Sequence, residues 1–280
     1  MILHLHDVLR HRALTVFFAA LALGAPAATA QEEKAAFDPS TAQIAPLGLP
    51  SPYDKFLGLD QVLNLTNADW KTVYNDISRF VDASKLKGET DVALALGVKI
   101  ADGVMAIKAR DANGLNECSR QIEDLAKKLG VKDEEMSRAK TVRAHANKNE
   151  WLLVFLELGF LQVDIMKSLR TQGNAQRRPL IITGGWMQGL RYTSHVIIKH
   201  YSPSNSNFLR EPVLVKAMQS ELDSLPAAIK SSATVAALIT RLPGIFTAVN
   251  IPLEGSIPKE DVQKLFDTSG EIVDKITVTQ

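Results

Sequence analysis

The sequence predicts an all-α protein, a compact bundle of about eight or nine helices that follows a signal peptide and a Pro-rich tether. Three observations lead there. From Tyr53 onward apolar residues recur at intervals of three and four, which is the spacing that lines one face of a helix. No run alternates with the period of two that a half-buried strand needs. Turn residues also divide the chain into helix-sized pieces, since Gly130, Gly173-Asn174, Ser202-Pro203-Ser204-Asn205 and Gly255-Ser256-Ile257-Pro258 supply left-handed or helix-incompatible backbone.

The elements follow in order. Residues 1–30 carry basic Arg10 and Arg12, an apolar run from Ala13 to Leu23, and Ala28-Thr29-Ala30 before Gln31. That order defines a secretory signal cleaved after Ala30, and the run is shorter than the roughly 20 residues a spanning helix needs. No cysteine stands directly after the cleavage point, the only one being Cys118 far downstream, so a lipid anchor is not expected. The implied localisation is exported, periplasmic or secreted. Residues 31–52 hold Pro39, Pro46, Pro50 and Pro52 without apolar periodicity and are read as an extended tether. Residues 53–280 form the single all-α domain, with helices expected at about 53–64, 68–84, 89–111, 113–129, 133–171, 178–201, 210–224, 228–250 and 258–278. Asn113-Gly114 is expected to be a break, and Pro243-Gly244 to kink or split the eighth helix.

Within these, Trp151 to Leu169 is apolar around most of its circumference, so it is expected at the centre of the bundle. The next helix reads as amphipathic. Ile182, Trp186, Gly189, Thr193, Val196 and Ile197 share one side, and Gln188, Arg191, His195 and Lys199 the other. Gly185 and Gly189, and the small residues Ala93, Gly97, Ala101 and Gly103, point to close helix crossings. Asp102 lies among the latter and needs a partner the sequence does not identify.

Loss of residues 1–30 removes two of 32 basic and one of 31 acidic residues, leaving a formal charge of zero. Nucleic acid is therefore excluded as an expected partner, because phosphate binding needs a cationic excess. His4, His6 and His11 leave too, and His145, His195 and His200 remain. His195 and His200 sit on different faces of a regular helix, so no metal, haem or other cofactor is expected. The single cysteine, Cys118, is in register with Leu115, Ile122 and Leu125, as a buried, inert thiol would be.

No G-x-S-x-G, H-E-x-x-H, C-x-x-C-H or Walker motif is present. Ser84-Lys85-Leu86-Lys87 and Ser137-Arg138-Ala139-Lys140 fit S-x-x-K without its K-T-G or S-D-N companions, and Asn64-Leu65-Thr66 matches a glycosylation acceptor that is common by chance.

Two lines of charge stand out. Glu150, Glu157 and Asp164 are spaced by seven and drift only about 20° per step around a helix. They are read as a solvent-facing strip, or as the wall of a polar cleft. Arg191, His195 and Lys199 form a basic line on the following helix. An antiparallel hairpin closing near residues 174–175 would place Glu157 beside Arg191 or Tyr192, and Glu150 beside Lys199. Glu150, Glu157, Asp164, Arg191 and His195 are accordingly the candidate binding residues. The expected role is an exported binding or interaction module for a small molecule or an envelope protein. A hydrolase or lyase with Glu157 or Asp164 as general base and Arg191 holding an anion is the alternative, with a structural envelope protein as a third.

Overall fold

The structure, a computed structural model, describes residues 68–173 and 176–277. The expectations for the signal peptide, the tether, the first helix at 53–64 and the turn at 174–175 lie outside these residues. Among the described residues every regular element is helical and no strand occurs. Nine helices among the described residues exceed one or two turns: α1 (Trp70–Ile77), α2 (Glu89–Lys108), α3 (Ala112–Lys128), α4 (Ser137–Asn147), α5 (Trp151–Thr171), α6 (Arg177–Lys199), α7 (Pro212–Asp223), α8 (Ala233–Val249) and α9 (Lys259–Thr277).

Side-chain oxygens fix several of the starts. Asp69 accepts from the backbone N–H of Lys71 and Thr72, Asp111 from Asn113 and Gly114, and Ser232 from Val235. Each satisfies backbone donors that the first turn leaves without partners. The break expected at Asn113-Gly114 is therefore one turn earlier. Arg110 takes the left-handed conformation (φ 50°), Asp111 caps, and Asn113-Gly114 lies inside the first turn of α3. Gly130 and Gly173 do take positive φ, 84° and 74°, just beyond α3 and α5.

Two further boundaries differ from expectation. The long helix expected at 133–171 is divided into α4 and α5 by Lys148–Glu150, where Asn149 is left-handed at φ 59°. Asparagine tolerates that conformation better than most residues. Pro243 does not split α8, which runs through it. Pro243 and Gly244 both face solvent, so the backbone groups freed by proline are close to water rather than stranded in the core.

The core is built on α2 and α6. Every residue of α2 from Val92 to Ile107 is buried, as is α6 from Pro179 to Ser194. Helix α3 packs on α2, α4 on α3, and α5 on α4 with α2 behind it, while α9 covers α6 and the α7–α8 pair closes that side. This reverses the expected roles of α5 and α6. Helix α6 is central and α5 is peripheral, with an apolar side turned outward. Among the described residues no helix is long and apolar enough to cross a membrane.

The reversal has a steric cause. A Cβ on Gly97 would lie 1.9 Å from the Ile181 carbonyl oxygen, and one on Gly184 would lie 2.1 Å from the Leu94 carbonyl oxygen. Helices α2 and α6 thus meet backbone to backbone, an approach open only where side chains are missing. Helix α5, lined with bulky side chains, cannot come so close. Of the small residues named above, Gly97 makes this contact, and its counterparts on α6 are Gly184 and the N–H of Gly185.

Candidate functional site

Three features carry chemistry: a buried polar cluster, an open charged cleft and an exposed apolar face. The cluster centres on Asp102, which is fully buried on α2. Lys99, one turn earlier, places its Nζ 2.8 Å from Asp102 Oδ2 and donates also to the Arg79 carbonyl at 2.7 Å. From α6, Tyr192 donates its hydroxyl at 2.9 Å and Gln188 its Nε2 at 2.5 Å, both to Asp102 Oδ1. The Arg79 backbone N–H completes the set at 3.3 Å. Gln188 and Tyr192 are four apart and so reach the same point from one face of α6.

Burial is the largest single influence on the Lys99 ammonium and works against it, but the Asp102 charge, its hydrogen bond and the neighbouring Cys118 together outweigh burial and hold Lys99 above its usual value. Burial, reinforced by the Asp102 charge, pushes the Tyr192 phenol well above the ordinary tyrosine range. The cluster is closed to solvent and therefore fixes the register of α2 against α6 rather than meeting a substrate.

Cys118 borders it, with Sγ 3.3 Å from the Tyr74 hydroxyl. Burial raises the thiol pKa despite the nearby ammonium of Lys99. The expected outcome is that native protein fails to react with a thiol reagent that labels it fully in denaturant. Rapid labelling of the native protein would contradict this placement.

The two charged lines do not face each other. Glu157 and Asp164 share Arg138 of α4, which donates from Nη1 to Glu157 at 2.9 Å and from Nε to Asp164 at 2.6 Å. Glu150 lies at the start of α5, 2.5 Å from His145 Nδ1. Arg191 is buried and donates to Asp274 on α9 at 3.1 Å, with its guanidinium 5.9 Å from the Phe266 ring. His195 Nε2 is 3.4 Å from Asp76, and Lys199 Nζ is 3.3 Å from the same carboxylate. Burial and the charge of Lys199 lower the His195 pKa against the pull of Asp76.

The expected Glu157–Arg191 and Glu150–Lys199 pairs are thus replaced by partners on α4, α1 and α9. The break at Asn149 folds α4 back along α5 and brings Arg138 to the acidic line. Helix α6 is meanwhile enclosed by α2 and α9. Arg138 was visible only as part of a chance S-x-x-K match. The polar Asn147-Lys148-Asn149 run was the signal that could have found it, because a turn there makes residue 138 a neighbour of 157 and 164.

Glu157, Asp164 and Arg138, with Glu134, Glu135 and Lys167, line an open cleft of about 550 Å³ between α4 and α5. Beside it runs the outward side of α5. Leu152 is 66% exposed, Leu153 43%, Leu156 43%, Phe160 50% and Val163 60%. The Arg138 guanidinium sits 5.1 Å from the Phe160 ring and joins the cleft to this face. Among the described residues no group of three or more His, Cys, Asp or Glu side chains converges as metal ligands do. Comparison with family models, with curated proteins and with solved structures finds no match.

Proposed function

We propose that the chain is an exported interaction module whose docking face is the outward side of α5. One observation carries this reading: Leu152, Leu153, Leu156, Phe160 and Val163, five large apolar side chains on consecutive turns of one helix, are each more than two-fifths exposed. Isolated exposed apolar residues are ordinary, but a contiguous group of this size marks an interaction surface. The hydrolase or lyase alternative has less support. Its proposed bases, Glu157 and Asp164, are both held in ion pairs with Arg138, and its proposed anion holder, Arg191, is buried against α9.

The export half of the proposal rests on the order of basic, apolar and small residues before Gln31. Mass spectrometry of the exported protein is expected to find Gln31 at its N-terminus, and a retained Met1 would remove it. The docking half is tested by placing a photo-crosslinking residue at Leu156 in the cells that make the protein, with exposed Ser220 on α7 as the control. Discrete adducts at Leu156 and none at Ser220 are expected. Equal or absent adducts at both would overturn the docking face.

A further inference from the structure

Resting on that docking face, we infer that its partner is an amphipathic α-helix with an apolar seam and a basic flank. Leu153, Leu156, Phe160 and Val163 are spaced by three, four and three along α5. This is the pattern by which one helix receives another along its length, crossing at about 20°. A flat apolar ligand or an extended peptide has no need of such spacing. The face therefore specifies the shape of what covers it.

Charge specifies the rest. Glu150, Glu157 and Asp164, at intervals of seven, run beside the seam along its whole length. The cleft beyond them adds Glu134 and Glu135, so its charged lining comprises four carboxylates against Arg138 and Lys167. Arg138 serves both Glu157 and Asp164, which leaves that trio with one negative charge in excess. A helix laid on the seam presents its own flank to this strip. Lysine or arginine there is attracted, and glutamate or aspartate is repelled.

A second copy of this chain laid antiparallel fits the strip poorly. In an antiparallel approach that pairs Leu156 with Phe160, and Leu153 with Val163, the two acidic flanks meet and Glu157 faces its own counterpart. Like charges placed opposite one another oppose association.

The test uses two synthetic helical peptides of about three heptads, with leucine at the seam positions and either lysine or glutamate at the flanks. Fluorescence anisotropy reads their binding to the purified protein at moderate and high salt. The lysine peptide is expected to bind at least about tenfold more tightly than the glutamate peptide, and to lose most of that advantage when salt screens the flank. Phe160→Ser and Leu156→Ser, made separately at half-exposed positions, should each weaken it about tenfold while the helical circular dichroism is kept. Glu157→Gln with Asp164→Asn should weaken the lysine peptide alone.

Equal binding of both peptides, lost on Phe160→Ser, would overturn the basic partner and leave the docking face standing. A dimer in sedimentation that Phe160→Ser dissolves would overturn it in favour of a second copy. Binding of neither peptide, with adducts still forming at Leu156, would overturn the partner class alone. Binding of neither peptide without such adducts would remove the face as well.

Discussion

Gly97→Ala is expected to destabilise the protein by about 3 kcal/mol or more, at the upper end of what overpacking a core costs. The added methyl would stand 1.9 Å from the Ile181 carbonyl oxygen, 2.8 Å from its carbon and 2.7 Å from the Gly185 nitrogen. All three are backbone atoms, so no rotamer change gives relief. Helices α2 and α6 would have to separate where both are buried, loosening contacts along the whole crossing. The helix propensity gained by replacing glycine, about 1 kcal/mol, is too small to offset this.

Two controls separate the steric effect from the propensity gain. A Cβ on Gly103 meets only the ends of the Leu158 and Ile122 side chains, at 3.4 Å and 3.8 Å, and one on Gly244 meets nothing within 4 Å. Gly103→Ala should be near neutral, and Gly244→Ala should stabilise by up to about 1 kcal/mol. Urea unfolding of the three variants gives the comparison. Equal midpoints for Gly97→Ala and Gly103→Ala would mean that the backbones do not approach as described.

The glycines show how much the sequence discloses. Gly97 was legible as a close-crossing residue because it recurs with other small residues on one helix. On the other helix Gly185 was legible in the same way and its nitrogen does face Gly97, but Gly184, which meets the Leu94 carbonyl, was not singled out, because spacing along one chain does not fix the rotation of a second. The helical character of the domain and most boundaries were legible for the same local reason, since caps and left-handed residues act over three or four positions.

What was not legible depends on residues far apart in sequence. Gln188 and Arg191 read as solvent-facing because they are polar and lie opposite an apolar side. Both are buried, and their partners, Asp102 and Asp274, are 86 and 83 residues away. A polar residue enters a core when its hydrogen bonds are met there, and local periodicity cannot register a distant acceptor. Helix α5 gave the opposite error. Apolar composition measures how much area a helix can bury, not whether this chain supplies the surface to bury it against. The candidate residues divide along that line. Glu150, Glu157 and Asp164 stand beside the exposed face, whereas Arg191 and His195 belong to the packing of α6 against α9 and α1.

The same buried contacts set the other large effect. Asp102→Ala is expected to cost about 3–5 kcal/mol, the range for removing one partner of a buried ion pair. The substitution strands the Lys99 ammonium, the Tyr192 hydroxyl and the Gln188 amide together, in a place water does not reach. Asp102→Asn keeps the shape but not the charge, and should also destabilise.

Adding Lys99→Met to Asp102→Ala should recover part of the loss, because the double variant leaves no uncompensated charge. The coupling energy of the cycle isolates the ion pair from the packing. The pH dependence has a definite sign. In the folded protein Lys99 is held above its ordinary value after burial, acting alone, would have lowered it. Its contribution is therefore complete at neutral pH and fades only as pH climbs through the raised value on the strongly alkaline side. Asp102→Asn removes the charge that opposes burial, so Lys99 should lose its proton at lower pH in that variant. Urea unfolding across an alkaline pH series reads both effects. An additive double variant, with an alkaline limb that Asp102→Asn leaves in place, would show that Asp102 does not support Lys99 energetically.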